Sequence, residues 1–193
     1  MRKKPENTAK TRQKIVDAFW EVYKNIRNEK VTVGSIMKAA GMNRGTFYEY
    51  FKDIYDLLEQ EEDALLEKIK KNLDQKVSCE RQTDVGKLSM EITSEVLQHG
   101  DKVYFLLCRG DRAFYEKLQD ILQNHIINVL GLPEAREDTE YLFAYIMSGI
   151  NGIIVHWHES GKKMKIEEVV KMVGTLPIAG VQGYLKMRGE KPF

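Results

Sequence analysis

The sequence predicts an all-α protein, and three observations carry this expectation. Apolar residues recur every three to four positions in one segment after another, the period of a helix face. Prolines number only 4 in 193 residues, which leaves room for long helices. No run alternates apolar and polar residues as a half-buried strand does, and no internal repeat or low-complexity tract breaks the pattern. With 42% hydrophobic and 31% charged residues, the chain has the composition of a globular protein with a substantial core.

The elements follow in order. Ile15, Ala18, Phe19, Val22, Tyr23 and Ile26 lie on one face of a first helix of about 18–20 residues. Thr32 is a good N-cap for a short second helix carrying Val33, Ile36, Met37 and Ala40. Gly41 is placed to end it, because glycine adopts the left-handed C′ conformation cheaply. Asn43 caps a third helix, Arg44 to Phe51, and Asp53 a fourth, whose Ile54, Leu57, Leu58, Leu65, Ile69 and Leu73 form one stripe. The polar gap "VSCERQTD" precedes a fifth helix near 84–98 with Val85, Leu88, Ile92 and Val96 inward. "HGD" at 99–101 is a turn before the short helix "KVYFLLCR". "GD" at 110–111 opens a seventh helix with Phe114, Leu118, Ile121, Leu122 and Val129 in phase, and "GLPEARED" is a loop. An eighth helix, 138–160, is apolar almost all round and closed by Gly161. A ninth begins near Ile166, and Pro177, lacking an N–H, is expected to kink or end it.

Charge is divided unevenly. Residues 1–52 hold 12 Lys+Arg against 5 Asp+Glu, a net of +7, and residues 53–193 hold 18 against 24, a net of −6. A basic segment on an acidic body suits contact with a polyanion, although a solvated charged face would look the same. The two cysteines, Cys79 and Cys108, fit no metal or disulfide framework, which points to a reducing cytoplasm. "MRKKPENTAKTR" lacks the apolar stretch of a secretory signal, and no apolar run approaches the roughly 20 residues of a membrane span, so no membrane partner is expected.

"AAGMNRGTFYEYF", Ala39 to Phe51, lies within the basic segment. Helix, glycine turn, helix is the helix-turn-helix arrangement, whose second helix enters the DNA major groove. Phe47 and Phe51 are four apart and can face inward against Ile36 and Phe19. Arg44 stands in the first helical turn, and its fork matches the O6 and N7 acceptors of guanine. Gly45 removes a side chain where backbone approaches DNA. Thr46, Tyr48 and Tyr50 end in hydroxyls suited to phosphate oxygens. Lys52 adds charge at the start of the fourth helix, where backbone N–H groups also favour phosphate. Each tyrosine alone would fit ordinary packing; the combination argues for DNA.

Residues 8–58, above all "VTVGSIMKAAGMN" and "RGTFYEYFKDIYDLL", resemble the TetR family of transcriptional regulators. The resemblance implies an all-helical homodimer of bacterial type: an N-terminal three-helix helix-turn-helix DNA-binding domain, residues 1–52, joined to a larger helical effector-binding and dimerisation domain, residues 53–193. It implies phosphate contacts from Thr32, Asn43, Thr46, Tyr48, Tyr50 and Lys52, and base contact from Arg44 with Gly45 beside it. Gly34 and Ser35 stand where the family usually has longer, often charged side chains, so the second helix is expected to contribute through backbone N–H groups. Met37 stands in place of a usual alanine. The expected partners are a near-palindromic double-stranded operator, a second copy of the chain and an unidentified small-molecule effector.

In the second half, Leu142, Tyr145, Ile146, Gly149, Ile150, Ile153, Ile154 and Trp157 make the eighth helix apolar on every side, as burial from several directions requires. A subunit interface on one side would account for it, with Gly149, Gly152, Ile153, Val169 and Val173 the candidate contacts and the last two helices pairing with their copies, as in the family. A central core helix is the alternative. Met90, Tyr104, Phe105, Phe114, Tyr145 and Trp157 are candidate lining for an effector pocket among residues 84–160, although each also suits plain core. His156 and His158 of "HWHE" point about 200° apart on a helix, too far to share a metal; His156 with Glu159 supplies too few ligands, so no metal or other cofactor is expected. Cys108 suits an oxidant sensor or a small buried apolar residue. No phosphate loop, Ser/Cys–His constellation or close carboxylate pair appears, so an enzyme is not expected. The favoured expectation is a repressor released by a ligand. A TetR-like DNA-binding protein without an effector and a purely structural helical protein are the alternatives.

Overall fold

The computed structural model describes residues 5–25, 30–79, 85–108, 112–130 and 138–189. These form nine helices and no strand: α1 Pro5–Asn25, α2 Val33–Ala39, α3 Arg44–Tyr48, α4 Ile54–Cys79, α5 Val85–Gln98, α6 Gly100–Cys108, α7 Arg112–Leu130, α8 Thr139–Glu159 and α9 Ile166–Met187. The predicted loop at 131–138 lies, except for Asp138, outside the described residues, as do Ile26 and the side chains of Val85, Leu88, Ile92, Val129, Cys79 and Cys108. None of the described helices is long and apolar enough to cross a membrane.

The chain divides into two compact units, Met1–Leu65 and Leu66–Phe193, so α4 contributes its first turns to one and its remainder to the other. In the N-terminal unit α1 packs on α2 and α2 on α3. Its core is Ile15, Val16, Phe19, Ile36, Met37, Phe47, Phe51 and Leu57, all essentially inaccessible. The rings of Phe47 and Phe51 lie 5.4 Å apart. Arg12 extends over the Phe51 ring, at 5.2 Å, and donates to Gln60 at 3.1 Å, while Trp20 Nε1 donates to Glu61 at 3.1 Å. These contacts fasten α1 to the first turns of α4.

In the C-terminal unit α8 and α9 run antiparallel, with Leu142 and Ile146 meeting Val181 and Leu185, and Ile154 meeting Val169, Val173 and Leu97. Tyr184 and Arg188 both donate to Asp138 at 3.0 Å, closing one end of the pair. At the other end Trp157 Nε1 donates to the Met164 carbonyl at 2.7 Å. The expectation that Pro177 would disrupt α9 needs qualification, because α9 continues through it to Met187. Val169, Val173, Pro177, Val181 and Leu185, spaced by four, are all buried. Proline costs about 3 kcal/mol in a helix interior, and burial of this stripe on both sides of Pro177 offsets that cost.

Candidate nucleic-acid interface

Three short-range devices build the α2–turn–α3 segment. Thr32 and Ser35 cap α2 reciprocally: Ser35 N–H donates to Thr32 Oγ1, and Thr32 N–H to Ser35 Oγ, both at 3.1 Å. Gly41, at φ +68°, ends α2. Met42 N–H bonds the Met37 carbonyl at 2.9 Å and Gly41 N–H the Lys38 carbonyl at 3.2 Å, the paired pattern of a Schellman motif. Asn43 Oδ1 then accepts from Thr46 N–H at 3.0 Å and from Thr46 Oγ1 at 3.1 Å, which starts α3.

α3 is shorter than expected. Its helical residues end at Tyr48, and Glu49–Tyr50 form a turn in which Tyr50 and Phe51 N–H both bond the Phe47 carbonyl at 3.0 Å. The next backbone donor is already committed: Lys52 N–H donates to Asp56 at 2.8 Å, and Asp56 N–H to Asp53 at 2.8 Å. The hydrogen bond from Lys52 N–H holds the Asp56 carboxyl below its usual pKa. Two backbone donors around the start of α4 are thus engaged by its own carboxylates. The N–H of Ser35 is likewise spent on its cap.

Phe47 is buried while Arg44, Gly45, Lys52 and Asn43 are exposed, and Tyr48 is 61% exposed with its ring edge-on to Phe47. Thr46 and Tyr50 are half-buried, as are Gly34 and Ser35, and Thr32 is exposed. The ten predicted residues therefore lie together along one short segment whose aromatic anchors face inward. Tyr55, 82% exposed in the first turn of α4, is a neighbouring phenol that the sequence reading omitted. Its place beside inward-facing Ile54 and Leu57 was available as a signal.

The C-terminal candidates are dispersed. Phe114 is wholly buried core. Met90 packs against α9, where a Cβ on Gly174 would lie 3.1 Å from its backbone N and Cα. Tyr104 stacks on His158 at 3.5 Å, with Phe105 edge-on to the same ring. Tyr145 lies on the surface with its hydroxyl over Gly180. Trp157 borders a groove of about 920 Å³, together with Gly149, Gly152, Ile153, Met164 and Met172.

The predicted interface residues also separate. Gly149 and Gly152 are exposed and a Cβ on either would meet nothing within 4 Å. Val169 and Val173 are 1% and 0% exposed, sealed against Leu97 and Ile154 of their own chain. Their side chains have no surface to offer a partner, which corrects their assignment. His156 borders the groove, whereas His158 faces away from it and pairs with Asp101 at 3.0 Å. Among the described residues no three His, Cys, Asp or Glu side chains are grouped to hold a metal ion.

Comparison with known proteins agrees with this arrangement at both ends of the chain. Residues 29–60 match the family model for bacterial regulatory proteins of the tetR family, and residues 90–177 match one for a transcriptional regulator C-terminal region. No curated protein matches in sequence. Among solved structures, a tetR-family transcriptional regulator from Streptomyces coelicolor is similar with a TM-score of 0.66 at 18% identity, over 92% of this chain and 87% of that one. The fatty acid degradation regulator FadR from Bacillus halodurans gives 0.63 at 21% identity, over 94% and 99%. FadR from Bacillus subtilis, solved in complex with stearoyl-CoA, gives 0.61 at 20% identity, over 87% and 98%. A capped helix-turn-helix inside a tetR-family match, followed by a matching regulator C-terminal region, makes this chain a member of the TetR family of DNA-binding transcriptional regulators, which are not enzymes.

Proposed function

We propose that the chain is a ligand-responsive repressor that binds a near-palindromic operator as a homodimer and leaves it when a small molecule binds. The observation that carries the DNA-contact assignment is the division of α3: Phe47 is buried, while Arg44 and Tyr48 project outward from the basic segment. Arg44 reads a base edge. Tyr48, Tyr50 and Lys52 contact phosphates. The caps refine the other roles. Asn43 accepts with Oδ1 inside the protein, which leaves its NH₂ to donate to phosphate, and Thr32 and Thr46 act chiefly by fixing the backbone. The functional boundary we place after Lys52, with the first turns of α4 serving to seat the DNA-binding helices.

Dimerisation we assign to the exposed face of α8, where Tyr141, Tyr145, Gly149 and Gly152 lie at helical spacing beside the groove. The effector we infer to be amphipathic. The stearoyl-CoA bound to the Bacillus subtilis protein has that character. Release follows if the ligand favours a setting of α4 that spoils the spacing of two rigid recognition helices. Linkage then requires that operator DNA weaken effector binding by the same factor.

The test selects binding sites from a randomised duplex library with wild-type protein and with Arg44→Ala. The expected loss is about 1–3 kcal/mol, with preference relaxed at one position in each half-site; an unchanged preference sinks the assignment. Amphipathic compounds, stearoyl-CoA included, are then screened for thermal stabilisation and titrated against the operator complex. If tight binders leave operator affinity unchanged, the effector-independent alternative replaces the repressor reading.

A further inference from the structure

We propose that Gly34 sets DNA sequence preference through Arg44, by leaving open the seat on which the arginine's guanidinium rests. This builds on the reading of Arg44 as the base-contacting residue. A Cβ added to Gly34 would lie 2.5 Å from Nη2 of Arg44, 3.2 Å from Cζ and 3.3 Å from Nε. All three atoms belong to the guanidinium, so the charged head of Arg44, not its stem, occupies the space above residue 34.

Both residues are fixed by caps. Gly34 is the second residue of α2, inside the reciprocal Thr32–Ser35 cap, and Arg44 is the first residue of α3, next to capping Asn43. The Schellman turn at Gly41 joins them. The two backbones are therefore held in register by short-range hydrogen bonds, and what remains adjustable is the arginine side chain. Glycine at position 34 has no backbone justification. It lies within a helix, without the positive φ of Gly41, and glycine costs a helix about 1 kcal/mol relative to alanine. What its missing side chain provides is room for the guanidinium. An arginine resting in one direction loses less rotamer freedom when it meets a base and presents its fork at one angle. Any side chain at 34 displaces the head and so alters which base edge it meets.

The experiment compares wild type, Gly34→Ala, Arg44→Ala and the double variant, each full-length, in selection from the randomised duplex library. Thermal melting and affinity for a duplex of unrelated sequence are measured alongside. Gly34→Ala is expected to melt no lower than wild type, and its affinity for the unrelated duplex is the baseline against which its base preference is read. The variant should nevertheless lose roughly fivefold or more of the base preference at the position that Arg44→Ala flattens, the low end of what one bidentate contact discriminates. In the Arg44→Ala background the same change should alter nothing. If Gly34→Ala leaves that preference intact while Arg44→Ala removes it, the proposal fails and the reading of Arg44 stands. If Gly34→Ala has the same effect with and without Arg44, residue 34 acts by its own approach to DNA and the proposal fails. If Arg44→Ala changes no preference, the underlying reading fails and this inference with it.

Discussion

The two units are built by different rules. In the N-terminal unit the functional segment is assembled from contacts between residues three to five positions apart: Thr32 with Ser35, Met37 with Met42, Asn43 with Thr46. In the C-terminal unit the decisive contacts join residues far apart in the chain, such as Asn72 Nδ2 donating to buried Glu95 at 2.7 Å, Met90 beneath Gly174, and Tyr184 and Arg188 on Asp138. The first kind of structure presents side chains outward at fixed positions and suits a surface that must match a rigid partner. The second distributes its aromatic residues through a packed interior, where their positions depend on which helices meet.

The strongest test of this contrast removes one buried ring from each unit. Phe47→Ala and Phe114→Ala are each expected to cost about 3–5 kcal/mol. Phe47→Ala should abolish operator binding and deprotect α2 and α3 in hydrogen exchange; Phe114→Ala should deprotect α6 and α7 first. Equal loss of protection everywhere in both variants would mean that the units do not differ as described. A smaller effect separates two kinds of glycine. Gly174→Val drives a side chain into the backbone of Met90 and should destabilise the fold by about 1–3 kcal/mol, read by denaturant unfolding. Gly149→Val meets nothing within its own chain and should leave the monomer's fold intact while weakening self-association in sedimentation. If Gly149→Val stays dimeric, the dimer face lies elsewhere.

The third prediction concerns local order. Thr32→Ala removes a cap and should cost about 1 kcal/mol, with the loss of hydrogen-exchange protection confined to the N-terminal unit. The smallest expected effect is a pH dependence in the histidine range, confined to the C-terminal unit, which carries all four histidines. Burial holds the His99 pKa below its usual value, Lys68 and Lys102 push the same way, and Glu95, 3.4 Å from Nε2, opposes them. The unfolded chain therefore binds the proton more readily, so stability is present above about pH 6.5 and declines as pH falls through the ordinary histidine range. His99→Gln should flatten that decline in urea unfolding at pH 7.5 and 5.5; an unchanged slope would assign it to other groups.

This contrast also explains what was legible in the sequence. A cap, a positive-φ glycine and an i, i+4 aromatic pair are recognisable because each is completed within a few residues, so Thr32, Gly41, Asn43 and Phe47 were read correctly as parts of α2 and α3. Helix spacing likewise located the longer helices among the described residues. It did not identify which apolar residues meet. Val169 and Val173 share the stripe of Val181 and Leu185, and nothing in that spacing distinguishes a neighbouring helix of the same chain from one in a partner. Gly174, the close-approach glycine of α9, carries no local mark, whereas Gly149 and Gly152 drew attention by lying in an apolar run. At the start of α4 the Asp53 cap is legible for the same reason, since it is completed three residues on, whereas the bond from Lys52 N–H to Asp56 has no local mark in the sequence.

The brevity of α3 has a consequence for how such a protein can change. With five helical residues, the element owes its stability to its two ends and to the inward rings rather than to its length. Arg44 and Tyr48 are exposed and contribute little to that stability, since surface substitutions usually shift it by under about 0.5 kcal/mol. On the proposed reading of Arg44, target preference and folding can then vary independently. On that reading a single substitution at Arg44 can change the operator without unfolding the chain, and duplicated copies can diverge in target while their scaffold stays unchanged.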